Sequence, residues 1–218
     1  SNKRGNITAN IKNMNLGSEA IGIYTKNGNL TYNGNITVGE KKNSAGIYAD
    51  NSDVTFKGTL NVSKPETIGI FAKGHSNVTI KNGSTINVSN GSYGIMTNED
   101  STGNITIEQG ATFNISNLSS YGISAYGKNT IINNGTFNID ANSTGIFHSF
   151  DSTISGAGNI PSDKIKTMNK KSNVANIDIK FNGDVKFPKN IKVVNGGTIK
   201  VNGTVDINNM YLDFEHDN

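Results

Sequence analysis

A glycine, an isoleucine and a third, usually aromatic, residue return together from Gly22, Gly46, Gly69, Gly94, Gly122 and Gly145, at spacings of 24, 23, 25, 28 and 23 residues by subtraction. A period of this length marks stacked supersecondary units, none of which can bury its apolar face alone. Two short strands follow within each period. The first reads Leu30-Thr31-Tyr32, Val54-Thr55-Phe56, Val78-Thr79-Ile80, Ile105-Thr106-Ile107 and, less cleanly, Thr130-Ile131-Ile132. The second reads Ile36-Thr37-Val38, Leu60-Asn61-Val62, Ile86-Asn87-Val88, Phe113-Asn114-Ile115 and Phe137-Asn138-Ile139. Apolar-polar-apolar triplets are the period-2 pattern of a strand with one buried face. Three such strands per period predict a three-sided coil.

Between the strands lie Asn33-Gly34, Lys57-Gly58, Asn82-Gly83, Gln109-Gly110 and Asn134-Gly135, pairs suited to corners of positive φ. A hairpin meander also turns on Asn-Gly but would not return three different strand classes in order. Parallel stacking does. The expected fold is therefore all-β, a right-handed parallel β-helix of three strands per coil and about eight or nine coils. Rungs about 4.8 Å apart would align Ile23, Ile47, Ile70, Ile95, Ile123 and Ile146 inside. Two residues on, Thr25, Ala49, Ala72, Thr97, Ala125 and His148 face the same narrow lumen. Thr31, Thr55, Thr79 and Thr106, and separately Thr37, Asn61, Asn87, Asn114 and Asn138, form outward ladders able to share side-chain hydrogen bonds.

Residues 1–160 carry the regular coils, with a partial coil at Ile7 to Leu16. Residues 161–175 lose alternation and read as a basic excursion loop. Alternation resumes over 176–218, at Ile177, Ile179, Phe181, Val185, Phe187, Ile191, Val193, Ile199, Val201, Val205 and Ile207, as about two coils of different register. The acidic stretch from Tyr211 to Asn218 is either a cap or a coil cut short. Scarce leucine and abundant Ile, Val, Thr and Asn leave little for helices. Without cysteine there are no disulfides, thiolate metal sites or Cys nucleophiles. Twenty Lys and Arg against seventeen Asp and Glu give +3, too little to serve a nucleic-acid partner. No long apolar run marks a signal peptide or membrane helix, so the segment itself is not expected to touch a membrane.

Ala20-Ile21-Gly22-Ile23-Tyr24, Ala45-Gly46-Ile47-Tyr48-Ala49 and Ile68-Gly69-Ile70-Phe71-Ala72, with the strand pairs that follow, resemble the passenger domains of type Va, monomeric, bacterial autotransporters, and in particular fusobacterial outer-membrane adhesins. The likeness spans most of Asn6 to Phe147 and specifies a fold better than a function. It implies export, passage through a C-terminal barrel, and display at the cell surface or release. The role expected on that basis is a shaft segment of an adhesin with loop-mediated contact to host-cell or bacterial surface proteins or glycans.

Chemistry is sparse. Asp50 and Asp53 share a corner but lack the further oxygen ligands that Ca²⁺ needs. His75, His148 and His216 stand apart from one another, without ligand spacing. There is no Gly-x-Ser-x-Gly elbow. No enzyme activity, metal or cofactor is expected, although a carbohydrate-active enzyme on the same scaffold is the alternative, as is self-association of solenoids side by side. Candidate contacts are three. The longest coil should project loops at Asn98 to Gly103, including Glu99 and Asp100, and at Asn117 to Ser120. Lys164, Lys166, Lys170 and Lys171 form a basic stretch suited to acidic glycans or proteins. The column led by Tyr24, Tyr48 and Phe71 and continued by Met96, Ser124 and Phe147 should face outward, either to meet a partner or to stack on itself and stiffen one face.

Overall fold

In the computed structural model the alternating triplets pair in parallel and close residues 1–168 into a β-solenoid of about six turns. Residues 5–17, 19–39 and 44–168 are described throughout, and of residues 169–218 the backbones of seven strands. The first sheet stacks Ile21–Lys26, Ala45–Asp50, Ile68–Lys73, Tyr93–Thr97, Tyr121–Ala125, Thr144–His148 and Ile165–Thr167. The second stacks Gly5–Asn15, Gly28–Val38, Asp53–Lys57, Val78–Ile80, Asn104–Ile107, Thr130–Asn133 and Thr153–Ser155. Gly28–Val38 bends into the third sheet, where Thr59–Val62, Thr85–Ser89, Thr112–Ser116 and Thr136–Ile139 follow.

The isoleucine column pairs rung by rung as the period requires, and Ile165 adds a seventh rung. Ile47 through Ile146 are wholly buried, each worth about 2 kcal/mol of removed apolar surface. Beside them Tyr32 stacks on Phe56 at 5.7 Å and Phe113 on Phe137 at 4.5 Å. The glycine before each isoleucine is a matter of room. A Cβ on Gly69 would lie 2.5 Å from the Gly94 carbonyl oxygen and 2.5 Å from a Leu60 methyl, and one on Gly94 would lie 2.6 Å from the Gly122 carbonyl oxygen. The next rung of the same sheet and the side chains of the third sheet together leave no room for a side chain there.

The outward asparagines do form a ladder. Asn138, Asn114 and Asn87 each donate Nδ2 to Oδ1 of the asparagine one turn below, at 2.9, 2.9 and 2.8 Å, ending on Asn61. Asn114 and Asn87 are thus each donor and acceptor along the axis, which favours one rung spacing over others.

The structure differs from the sequence reading in three places. Ile105 pairs with Ile131, so the fifth triplet of the second sheet is Ile131-Ile132-Asn133, one residue later than expected, and Asn133 takes the interior place held below by Ile107. Gly34, Gly58, Gly83 and Gly110 have positive φ as expected, but Gly135 does not, and Asn27, Asn51 and Asn90 turn further corners. The expected excursion begins inside the stack, with a 3-10 turn at Ser162–Lys164 followed by Ile165–Thr167 in the first sheet.

Residues 169–218 form a second unit. Asn173–Ala175 pairs with Ile191–Val194 and that with Leu212–Glu215, Ile179–Asn182 with Ile199–Asn202, and Val185–Lys186 with Val205–Asp206, all in parallel. Partners lie 19 to 21 residues apart, so a shorter period replaces the earlier one. Leu212–Glu215 is a strand of that stack, while Ile177, Phe187, Ile207, Tyr211 and His216 lie outside the described residues.

Candidate functional site

The Gly-Ile-aromatic strand aims its third residue away from the lumen, since the isoleucine before it points inward. Tyr24 is 55% exposed, and Tyr48 and Phe71 are half-buried only because they cover one another. Their ring centroids step 5.4 and 5.0 Å along the axis, tilted by 41° and 44°. The column therefore both stacks on itself and keeps a surface toward solvent. The Tyr24 hydroxyl donates to Asp50 Oδ2 at 3.2 Å, and Lys73 Nζ lies 3.4 Å from the same oxygen. Desolvation, then the bond to Asp50, raises the Tyr24 phenol above its ordinary value, and the bond to Asp50 raises the Lys73 ammonium. Asp50 thus works as a surface tie across three rungs.

Higher on the same face Met96 and Ser124 interrupt the column, and rings from neighbouring columns fill in. Tyr93 stacks on Tyr121 at 5.3 Å and 14°. Phe147 meets Tyr121 and Tyr126 edge-on, at 6.1 and 5.9 Å. Sequence reading followed one column and missed Tyr93, Tyr121 and Tyr126, although a Tyr directly before the repeat glycine, twice running, was a usable signal.

The loops of the longest coil are shaped by local bonds. Glu99 and Asp100 are exposed, and Asp100 Oδ1 accepts from the Gly74 backbone N–H at 3.3 Å. Asn117, Leu118 and Ser119 all hold left-handed φ, of 61°, 49° and 53°, and Leu118 projects at 71% exposure. The turn is held by the Asn117 N–H on Asp140 Oδ2 and by the Ser120 hydroxyl on the Asn117 carbonyl, both at 2.6 Å. The two described lysines of the basic stretch take different roles. Lys164 Nζ donates to the carbonyls of Asp140, Ala141 and Ser143 at 2.6, 2.9 and 3.3 Å, and so closes a loop of the turn below. Lys166 is exposed at the register position above Phe147. Lys170 and Lys171 lie outside the described residues.

Two corners are polar within. Ser44, Thr67, Ser92, Ser120 and Ser143 are buried two residues before the repeat glycine, a Ser/Thr-x-Gly signal that the sequence reading passed over. Ser92 and Ser120 bond back to carbonyls of their own turn, at 2.7 and 2.9 Å. At the opposite corner Asn129 accepts from Thr97 Oγ1 and donates to Ser101 Oγ and the Gly103 carbonyl, all within 3.0 Å.

Titratable groups serve the scaffold. Among the described residues, no group of three His, Asp or Glu could hold a metal. His148 fills the lumen, with Nδ1 at 2.8 Å from the Ser149 carbonyl and Nε2 at 3.1 Å from Thr167, and His75 is exposed beside Thr102. A cleft of about 310 Å³ lined by Glu108, Gln109, Asn134 and Ala157 brings in one carboxylate. That carboxylate bonds Lys81 Nζ at 2.5 Å and the Asn82 N–H at 3.0 Å, which together hold it below the usual carboxylate range. Among the described residues, no helix is long and apolar enough to cross a membrane. Comparison with protein-family models, with curated proteins and with solved structures finds no match to this chain.

Proposed function

We propose that this chain is a shaft segment of a surface-displayed bacterial adhesin, an autotransporter passenger that carries contact loops and one aromatic face away from the cell. The observation that supports it best is the unbroken in-register ladder of seven rungs in the first sheet. Such a ladder lengthens with each repeat, because every rung contacts only its neighbours. On this reading the winding is right-handed, as parallel crossovers between twisted strands overwhelmingly are. At about 4.8 Å per turn, the roughly six turns of the first unit rise about 30 Å. The half-exposed rings and the protruding Leu118 supply contact surface on a rigid support.

Beads coated with the purified chain test this. They should adhere to cultured epithelial cells or to bacteria severalfold above albumin-coated beads. Charge reversal at Lys166, Lys170 and Lys171 should lower adhesion if the basic stretch contributes, whereas Lys164 is excluded from that test because it closes a loop. Adhesion at the albumin level on every surface would refute the reading.

A further inference from the structure

Ser124 stands in the outward column, in register between Met96 and Phe147, and yet it is wholly buried. An outward residue is buried only when its neighbours close over it. Those neighbours are Tyr121 and Tyr126 on its own segment, Phe147 one rung above and Tyr93 one rung below, and all four rings remain partly exposed. The Ser124 Oγ makes no hydrogen bond of full geometry, although it is near enough to Tyr126 to ease that phenol's ionisation. Burial nevertheless pushes the Tyr93 and Tyr126 phenols above their ordinary value, reinforced by the neighbouring tyrosines, so both stay protonated donors at neutral pH. The niche thus offers ring faces and phenolic hydroxyls, with the Ser124 hydroxyl sealed beneath them. None of these groups carries a charge, although the Glu66 carboxylate is near enough to Tyr93 to help raise its phenol and Lys166 stands in register above Phe147.

That combination matches one chemistry. A pyranose ring has an apolar face of C–H bonds and an edge of hydroxyls, and aromatic side chains with polar tips meet both at once. A protein partner would cover about 800 Å² on this side and so would have to reach beyond these residues onto the neighbouring rungs. We propose that Tyr93, Tyr121, Tyr126 and Phe147, closed over Ser124, form a binding site for a pyranose unit of a glycan. This rests on the adhesin reading and names the ligand class for it.

The chain has no Trp, and three of its seven Tyr belong to the niche, so tyrosine emission reports on it in part. The whole chain is titrated with cellohexaose, chitohexaose, maltohexaose and tri-N-acetyllactosamine at up to millimolar concentration, by emission and by calorimetry. Saturable binding of at least one is expected. Preference for the first two points to wall polysaccharide, and preference for the lactosamine to an animal-cell glycan. Tyr121→Ala and Tyr126→Ala should each weaken binding about tenfold. Tyr126→Phe, which keeps the ring, should cost less and guards against misfolding of the alanine variant. Thr55→Ala, on the second sheet, should change nothing.

Absence of saturable binding to all four sugars, or binding indifferent to Tyr121→Ala, overturns the site. So does adhesion that Tyr121→Ala abolishes but periodate treatment of the cells leaves intact, since the partner is then a protein surface. Beads that adhere while no sugar binds leave the shaft reading standing and remove the niche. Sugar binding without bead adhesion does the reverse.

Discussion

Gly69→Ala puts the want of room at the repeat glycine to the test. The added Cβ would sit 2.5 Å from the Gly94 carbonyl oxygen, which is backbone and cannot swing aside. Reaching even a tight 3.0 Å contact requires the two rungs to part by about 0.5 Å. The hydrogen bonds that join these two rungs lie next to this spot, among them Tyr93 N–H to the Thr67 carbonyl at 2.9 Å. Stretched to about 3.4 Å they leave the ordinary N–H···O range. Two or three weakened bonds at about 1 kcal/mol each, with the overpacked Leu60, give roughly 3 kcal/mol. For a chain of this size that is a fall in Tm of about 6–12 °C. Gly83→Ala is the reference: nothing lies within 4 Å of its Cβ position, but its φ of +78° should cost only about 1–2 kcal/mol. Urea melts followed by circular dichroism compare the two midpoints. If Gly69→Ala proved no worse than Gly83→Ala, the repeat glycine would not be there for want of room.

Asn129→Ala leaves the Gly103 carbonyl without its amide donor in a sealed corner and should cost about 2–3 kcal/mol in the same melts. A cost under about 0.5 kcal/mol would mean that the corner tolerates open polar groups. Asp140 is held below the usual carboxylate range by the Asn117 N–H and then by Ser143, so folding favours its ionised form. That contribution is complete above the ordinary Asp value and vanishes as pH falls through the lower folded value. The Tm gap between the wild type and Asp140→Asn should therefore shrink on acidification, and a gap constant with pH would refute the linkage. Lys164→Met frees the carbonyls of Asp140, Ala141 and Ser143 and should speed proteolytic nicking at residues 140–144, whereas an unchanged cleavage rate would show that the loop closes without it.

The columns of this fold were legible because identical neighbours reinforce one another. Six Gly-Ile pairs and five Asn or Thr positions in step leave almost no freedom in register, and the structure aligns them as the spacing predicts. What escaped the reading was either sterically ambiguous or off the repeat. Thr130-Ile131-Ile132-Asn133 supports two registers by alternation alone, and only the partner strand decides for the one that buries Asn133. The four lysines from 164 to 171 look alike in sequence, but three carbonyls within reach turn Lys164 into a loop closure.

The site follows the same logic in reverse. A solenoid spends its repeated residues on stacking, because each must satisfy the rung above and below, so a ligand can be recognised only where a rung breaks the pattern. Ser124 is such a break, since a serine stands where the column otherwise offers a ring or a methionine, and the space it leaves lets Tyr121, Tyr126 and Phe147 turn across the rungs. Tyr24, Tyr48 and Phe71 obey the pattern and stack along the axis. One face thus carries both arrangements: an ordered stripe that stiffens three turns, and above it a disordered register of rings whose faces point in more than one direction. Selectivity for a ligand belongs to the second, because a regular stripe presents the same surface at every rung and cannot hold a sugar at one of them.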